Sequence, residues 1–99
     1  MKELTIKEVN DYLAASLKNW TMEGSSIRRE FIFRNFVDAF SFMTAVALEA
    51  EKTDHHPDWS NVYNKVVIVL STHSVKGITR KDLNLAGKID AVYKPYELL

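Results

Sequence analysis

What most constrains this chain is the placing of three helix starts. Thr5 followed by Glu8 has the spacing of a capping box, Asn35 is an N-cap residue ahead of an apolar run, and Thr79 followed by Asp82 repeats the capping spacing. Beyond Thr5, Ile6, Val9, Leu13 and Leu17 recur at helical intervals and predict an amphipathic helix over residues 6–18. Beyond Asn35, the residues Phe36, Ala39, Phe40, Met43, Val46, Ala47 and Ala50 form an apolar stripe that stops near Lys52, where the polar KTDHHP begins. Beyond Thr79, Leu85, Ala86, Ile89 and Val92 carry a third helix to about Tyr93, just before Pro95.

Both gaps between these helices read as strand pairs. In the first, Gly24, Ser25 and Ser26 give a turn between a short segment at Trp20–Glu23 and a longer one at Ile27–Phe33, which predicts a hairpin. In the second, Val62, Val66, Ile68 and Leu70 alternate with Tyr63, Lys65, Val67 and Val69, and a break near Asn64 and Lys65 divides two strands. The order α-β-β-α-β-β-α is met by an α+β, two-layer domain: a four-stranded antiparallel sheet with the three helices on one face. With 99 residues and 46% hydrophobic content, residues 1–99 are expected to form a single domain. If Val66, Ile68 and Leu70 face the helices, Val67 and Val69 lie on the open face with Tyr63 and Ser71, where apolar side chains imply a partner subunit or a ligand. His73 shares that parity as long as the strand reaches it.

Charge and composition exclude several functions. Thirteen basic and thirteen acidic residues cancel, which removes the broad positive field of a protein that holds nucleic acid by its phosphates, so no direct nucleic-acid binding is expected. No cysteine is present to make a disulfide, a thiolate nucleophile or a thiolate metal ligand. The start MKELTIKEVN is too polar for a signal peptide, and VVIVL is far shorter than the roughly 20 residues of a membrane helix. A cytoplasmic protein without membrane association is expected.

All three histidines fall within residues 49–73, two of them adjacent as His55 and His56 and followed by Pro57. Imidazole exchanges protons near neutral pH and ligates metals, so the cluster points to proton transfer or coordination. Pro57 disfavours helix at His56, so the chain must leave the second helix through a turn or an extended segment. Asp54 and Asp58 flank the pair, and a nearby carboxylate fixes an imidazole tautomer. Trp59 and Tyr63 offer flat surfaces for a planar heterocycle, or else serve as core or interface residues. Asp82 is a helix cap by its spacing, and Glu51 a solvated charge near a helix end; either could also serve a site. His55 and His73 are expected at element ends in polar surroundings, outside the core.

Taken together, Glu51, the run His55-His56-Pro57, Tyr63, His73 and Asp82, with DHHPDW, NVYNKV and LSTH around them, closely resemble the signature of the pterin-4a-carbinolamine dehydratases. The resemblance implies dehydration of 4a-hydroxytetrahydrobiopterin or a related reduced pterin to the quinonoid dihydropterin, without cofactor or metal, in support of aromatic amino acid hydroxylases. It implies His55 and His73 as the acid/base pair and His56 mainly as a binding residue. Glu51, Asp54 and Asp82 become supporting carboxylates, with Pro57, Trp59, Ser71 and Thr72 shaping the pocket. A homodimer or homotetramer is expected. The hydroxylase or a transcription factor is a further candidate partner, because some members of the resembling family act as dimerisation partners for transcription factors. A zinc site is disfavoured, since neither HxH nor HExxH spacing occurs.

Overall fold

The computed structural model describes residues 2–99. The chain runs α1 (Ile6–Ser16), β1 (Thr21–Glu23), β2 (Ser26–Ile32), α2 (Phe36–Thr53), β3 (Asp58–Val62), β4 (Lys65–Leu70), a 3-10 turn (His73–Val75) and α3 (Arg80–Glu97). The fold is α+β in the expected order, and the four strands form one antiparallel sheet in the order β1-β2-β4-β3.

Each predicted helix start is present as a cap. Thr5 and Glu8 form a reciprocal capping box, whose hydrogen bond from the Thr5 backbone holds the Glu8 carboxyl below its ordinary value. The Asn35 side chain accepts the Asp38 N–H at 2.9 Å. Thr79 and Asp82 form a second capping box at the start of α3. Between β1 and β2 the two-residue loop begins at Gly24, whose φ of 62° carries no Cβ penalty.

Strand alternation then sets the layers. The register pairs Ile27 with Leu70, Arg29 with Ile68 and Phe31 with Val66, and all six are buried beneath the helices. Where the alternation would predict an apolar residue, Arg29 donates to Asp90 Oδ1 at 2.7 Å and lies 4.5 Å over the Phe31 ring. Trp20 Nε1 donates to the same oxygen at 2.9 Å, which joins the start of β1 to α3. The open face carries Val67 and Val69, as expected, but both are only partly exposed among charged neighbours. Arg28 lies 3.0 Å from Glu30 and 3.9 Å from Glu23, and Lys65 lies 3.9 Å from Glu30.

Four expectations are corrected. The buried stripe of α2 is Ala39, Phe42, Val46 and Ala50, whereas Phe36, Phe40 and Ala47 are exposed. The aromatic cluster explains the choice: Phe42 packs 4.9 Å from the rings of both Phe31 and Phe33 and 5.7 Å from Tyr93. Helix α3 does not stop before Pro95 but includes it and runs to Glu97. A proline so near the end removes a single hydrogen bond, while the following Tyr96 is held 5.3 Å from the Phe33 ring. Tyr63 lies outside both strands, in the β3–β4 loop with a φ of 51°, steadied by the Asn61 side chain donating to the Tyr63 and Lys65 carbonyls. Strand β4 ends at Leu70, so His73 does not share its parity. Among the described residues no helix is long and apolar enough to cross a membrane.

The aromatic cluster makes a sharp prediction. Phe42→Ala should cost about 3–5 kcal/mol in denaturant unfolding, as large-to-small changes in packed cores do. Ile6→Ala, at a position the helical pattern also marks as apolar but which is 70% exposed, should stay within about 0.5 kcal/mol.

Candidate active site

The end of α2 is shaped by hydrogen bonds that the sequence makes unusual. Asp54 takes a left-handed conformation (φ 50°, ψ 43°), its N–H reaching Glu51 O at 3.2 Å, while the His55 N–H reaches Ala50 O at 3.1 Å. This is the Schellman pattern, with aspartate at the position glycine usually holds. It reverses the chain so that His55 turns inward and is 9% exposed, contrary to the expectation that it would sit outside the core. Pro57 then leads into β3, whose first residue, Asp58, pairs with Val69 of β4.

A fully buried carboxylate receives the inward histidine. Asp82 Oδ1 lies 2.5 Å from His55 Nε2, and Asp82 Oδ2 accepts from Thr72 Oγ1 at 2.8 Å and from the Thr79 N–H at 2.9 Å. The hydroxyls of Thr72 and Thr79 are 2.8 Å apart. One oxygen therefore caps α3 and ties down the exit from β4, and the other orients the imidazole. The two readings of Asp82, helix cap and site carboxylate, describe the same side chain.

The other expected residues are arranged around this network less tightly. His56 Nε2 lies 2.9 Å from Glu51 Oε1, with side-chain exposures of 58% and 78%, so that pair faces water. His73 opens the 3-10 turn and is exposed; its loop is closed by pairing between Thr72 and Gly77 and by the Lys76 N–H donating to His73 O at 3.1 Å. Asp54 is exposed and acts here through its backbone conformation. Pro57 and Ser71 are half-buried, and Trp59 is half-buried on the helix-facing side of β3, packed against the core. Thr79 belongs to the network as well as to the cap, which its spacing alone did not reveal.

A cleft of about 520 Å³ opens beside His55, bordered by Thr53 and Tyr12 and by Lys81, Asn84 and Lys88 of α3. Its volume falls in the ordinary range for small-ligand sites. Of the three histidines only His55 lines it. The α3 residues recur at i, i+3 and i+7, a helical face that the sequence contained but whose relation to His55 depends on the tertiary fold. Among the described residues no three histidine, aspartate or glutamate side chains group to hold a metal ion. With Asp82 ionised, a neutral His55 carries its proton on Nε2 and leaves the Nδ1 lone pair free to accept one.

Comparison with known proteins gives a consistent answer. A family model described as pterin 4 alpha carbinolamine dehydratase matches residues 2–92. A Mesorhizobium japonicum protein bearing that family name is 50% identical over 91 residues, spanning 90% of this chain and 93% of its own. A Prochlorococcus marinus (strain MIT 9312) protein of the same name is 45% identical over 93 residues, spanning 94% and 88%. Among solved structures, a transcriptional coactivator/pterin dehydratase from Brucella melitensis aligns with a TM-score of 0.87 and 44% identity over 92% of this chain and 98% of its own. A pterin dehydratase-like RuBisCO assembly factor of the alpha-carboxysome shares the fold, with a TM-score of 0.62 at 20% identity over 74% and 84%.

Burial separates the two histidine–carboxylate pairs energetically. Thr72→Val keeps the volume but strips Asp82 of one donor, and should destabilise the protein by about 1–3 kcal/mol, as a buried acceptor left unsatisfied does. Glu51→Gln, at a water-facing pair, should change stability by no more than about 0.5 kcal/mol. Urea unfolding of the two variants checks both, and equal effects would contradict the assignment of Asp82 as the buried anchor.

Proposed function

The chain belongs to the pterin 4 alpha carbinolamine dehydratase family, and from that premise we propose that it removes water from a reduced pterin bearing a hydroxyl on carbon 4a. In this reaction the lone pair of the adjacent ring nitrogen forms a double bond to carbon 4a as the carbon–oxygen bond breaks. Hydroxide is a poor leaving group, so an acid protonates it and it departs as water, while a base takes the proton released from the ring nitrogen. The product is the quinonoid dihydropterin, and no electrons are exchanged with another molecule.

The observation that carries the assignment of roles is the His55–Asp82 pair. A buried, triply engaged carboxylate holds the imidazole in one orientation and one tautomer, which is what a general acid–base residue needs. We assign His55 and His73 as the acid/base pair, His56 with Glu51 as a binding pair, and Asp82 as the residue that positions His55. In this reading Pro57, Trp59, Ser71 and Thr72 shape the pocket, and Asp54 acts by turning the chain. A 4a-hydroxypterin is what remains when the peroxide formed from a reduced pterin and dioxygen has given up one oxygen atom in a hydroxylase, so the protein acts after aromatic amino acid hydroxylation in this reading. A second reading, as a binding protein for another chain, draws support from the coactivator designation of the Brucella protein and from the exposed Phe36, Val37, Phe40 and Leu48 of α2.

Dehydration assays on each 4a-epimer of the substrate test the roles. His55→Ala and His73→Ala should each slow at least one epimer by on the order of 10²-fold or more, because acid–base assistance typically contributes ~10²–10⁴. His56→Ala should raise KM more than it lowers kcat, as loss of uniform binding does. A His55→Ala, His73→Ala double variant that turns over both epimers at the parental rate would refute the assignment.

A further inference from the structure

In the dehydratase reading the reacting ring meets both His55 and His73. The cleft beside His55 holds only the first of these, so its volume of about 520 Å³ is open to a part of the substrate that does not react. Its lining is one-sided in charge. Thirteen basic and thirteen acidic residues cancel over the whole chain, yet Lys81 and Lys88 border the cleft and, among the described residues, no aspartate or glutamate does. Neither lysine pairs with a carboxylate among the described residues. They stand on one face of α3, separated by about 10 Å along the helix axis. Tyr12, also in the lining, carries the Arg80 guanidinium 5.2 Å from its ring centroid, which brings a third cation close. A recess whose charged residues are all cationic concentrates anions.

Gly87 adds an observation independent of charge. It lies inside α3 without a positive φ, and a Cβ built on it would meet no atom within 4 Å. Alanine would fit there and would favour the helix, because glycine gives up more conformational freedom on folding. Neither the backbone nor the packing calls for glycine, and what the missing side chain does is keep the cleft open along its α3 wall. We propose that this cleft receives a pterin side chain ending in a phosphate monoester, held between Lys81 and Lys88 while the ring reacts at His55. The inference rests on the dehydratase reading and adds a substrate class to it. Two ammonium groups balance the roughly −1.5 to −2 charge of a phosphate monoester at pH 7, and their flexible stems can close on it from both sides. Asn84, between the lysines on the same wall, offers a donor and an acceptor to hydroxyls along the side chain.

Dehydration of two 4a-hydroxypterins that differ only in whether the side chain ends in a hydroxyl or in a phosphate monoester tests the proposal. In the parent, kcat/KM should be higher for the phosphate compound by on the order of 10-fold or more, as charge-assisted hydrogen bonds provide, and the preference should shrink as salt is raised. A Lys81→Gln, Lys88→Gln double variant should abolish the preference. A Lys18→Gln, Lys94→Gln double variant, which removes the same charge outside the cleft, should keep it. Gly87→Leu, which fills the cleft, should raise KM for the phosphate compound with the circular dichroism unchanged. Equal kcat/KM for the two compounds in the parent overturns the proposal and leaves the dehydratase reading standing, whereas turnover of neither overturns that reading and the proposal with it. A preference that survives the loss of Lys81 and Lys88, or that falls equally when Lys18 and Lys94 are replaced, also overturns the proposal.

Discussion

A carboxylate closed off from water must collect hydrogen-bond donors, and Asp82 collects one from the cap of its own helix and two from elsewhere in the chain. The Thr79 N–H begins α3, the Thr72 hydroxyl follows β4, and the His55 imidazole follows α2. Each donor offsets part of the cost of burying the charge, and loss of any one leaves the others holding an incompletely satisfied group. The helix layer and the end of the sheet are thereby fixed to each other at the point where the histidines emerge. The turn at Asp54 is part of the same arrangement, because only a chain reversing there can bring His55 back toward α3.

Local signals in the sequence carried the order of elements. Capping residues at Thr5, Asn35 and Thr79 are bonded within a few residues of themselves, so their spacing suffices to locate them. The face that α2 buries was less legible because that helix has apolar residues nearly all the way round. Periodicity alone permits a stripe through Phe36 and Phe40 as well as one through Phe42, and the rings of Phe31, Phe33 and Tyr93 choose the latter. Pro95 and Tyr63 failed as boundary signals for related reasons: packing of Tyr96 extends the helix past one, and a left-handed turn places the other outside a strand. As for the candidate site, the resemblance proposed its residues, and the Thr79-x-x-Asp82 spacing foretold the cap that Asp82 makes. That its second oxygen meets His55 depends on a contact across the fold, which no local pattern encodes.

Exposure divides the histidines in a way their adjacency conceals. His55 and His56 are neighbours in sequence, yet one is held by a carboxylate without solvent contact and the other by one that is 78% exposed. Fixed geometry suits a group that must move a proton at a defined point, and a water-facing pair can adapt to a ligand's polar edge. The same contrast holds on a larger scale: the sheet's outer face is laced with ion pairs, whereas α2 from Phe36 to Leu48 exposes no charged residue.

The central claim is that Asp82 fixes the tautomer of His55 for proton transfer. Nitrogen-15 NMR of the histidine ring, in the pH range where the imidazole is neutral, tests it directly. The account predicts a proton on Nε2, facing Asp82, and a lone pair on Nδ1, with the preference lost in Asp82→Ala. A proton on Nδ1, or a mixture of tautomers unaffected by removing the carboxylate, would contradict it.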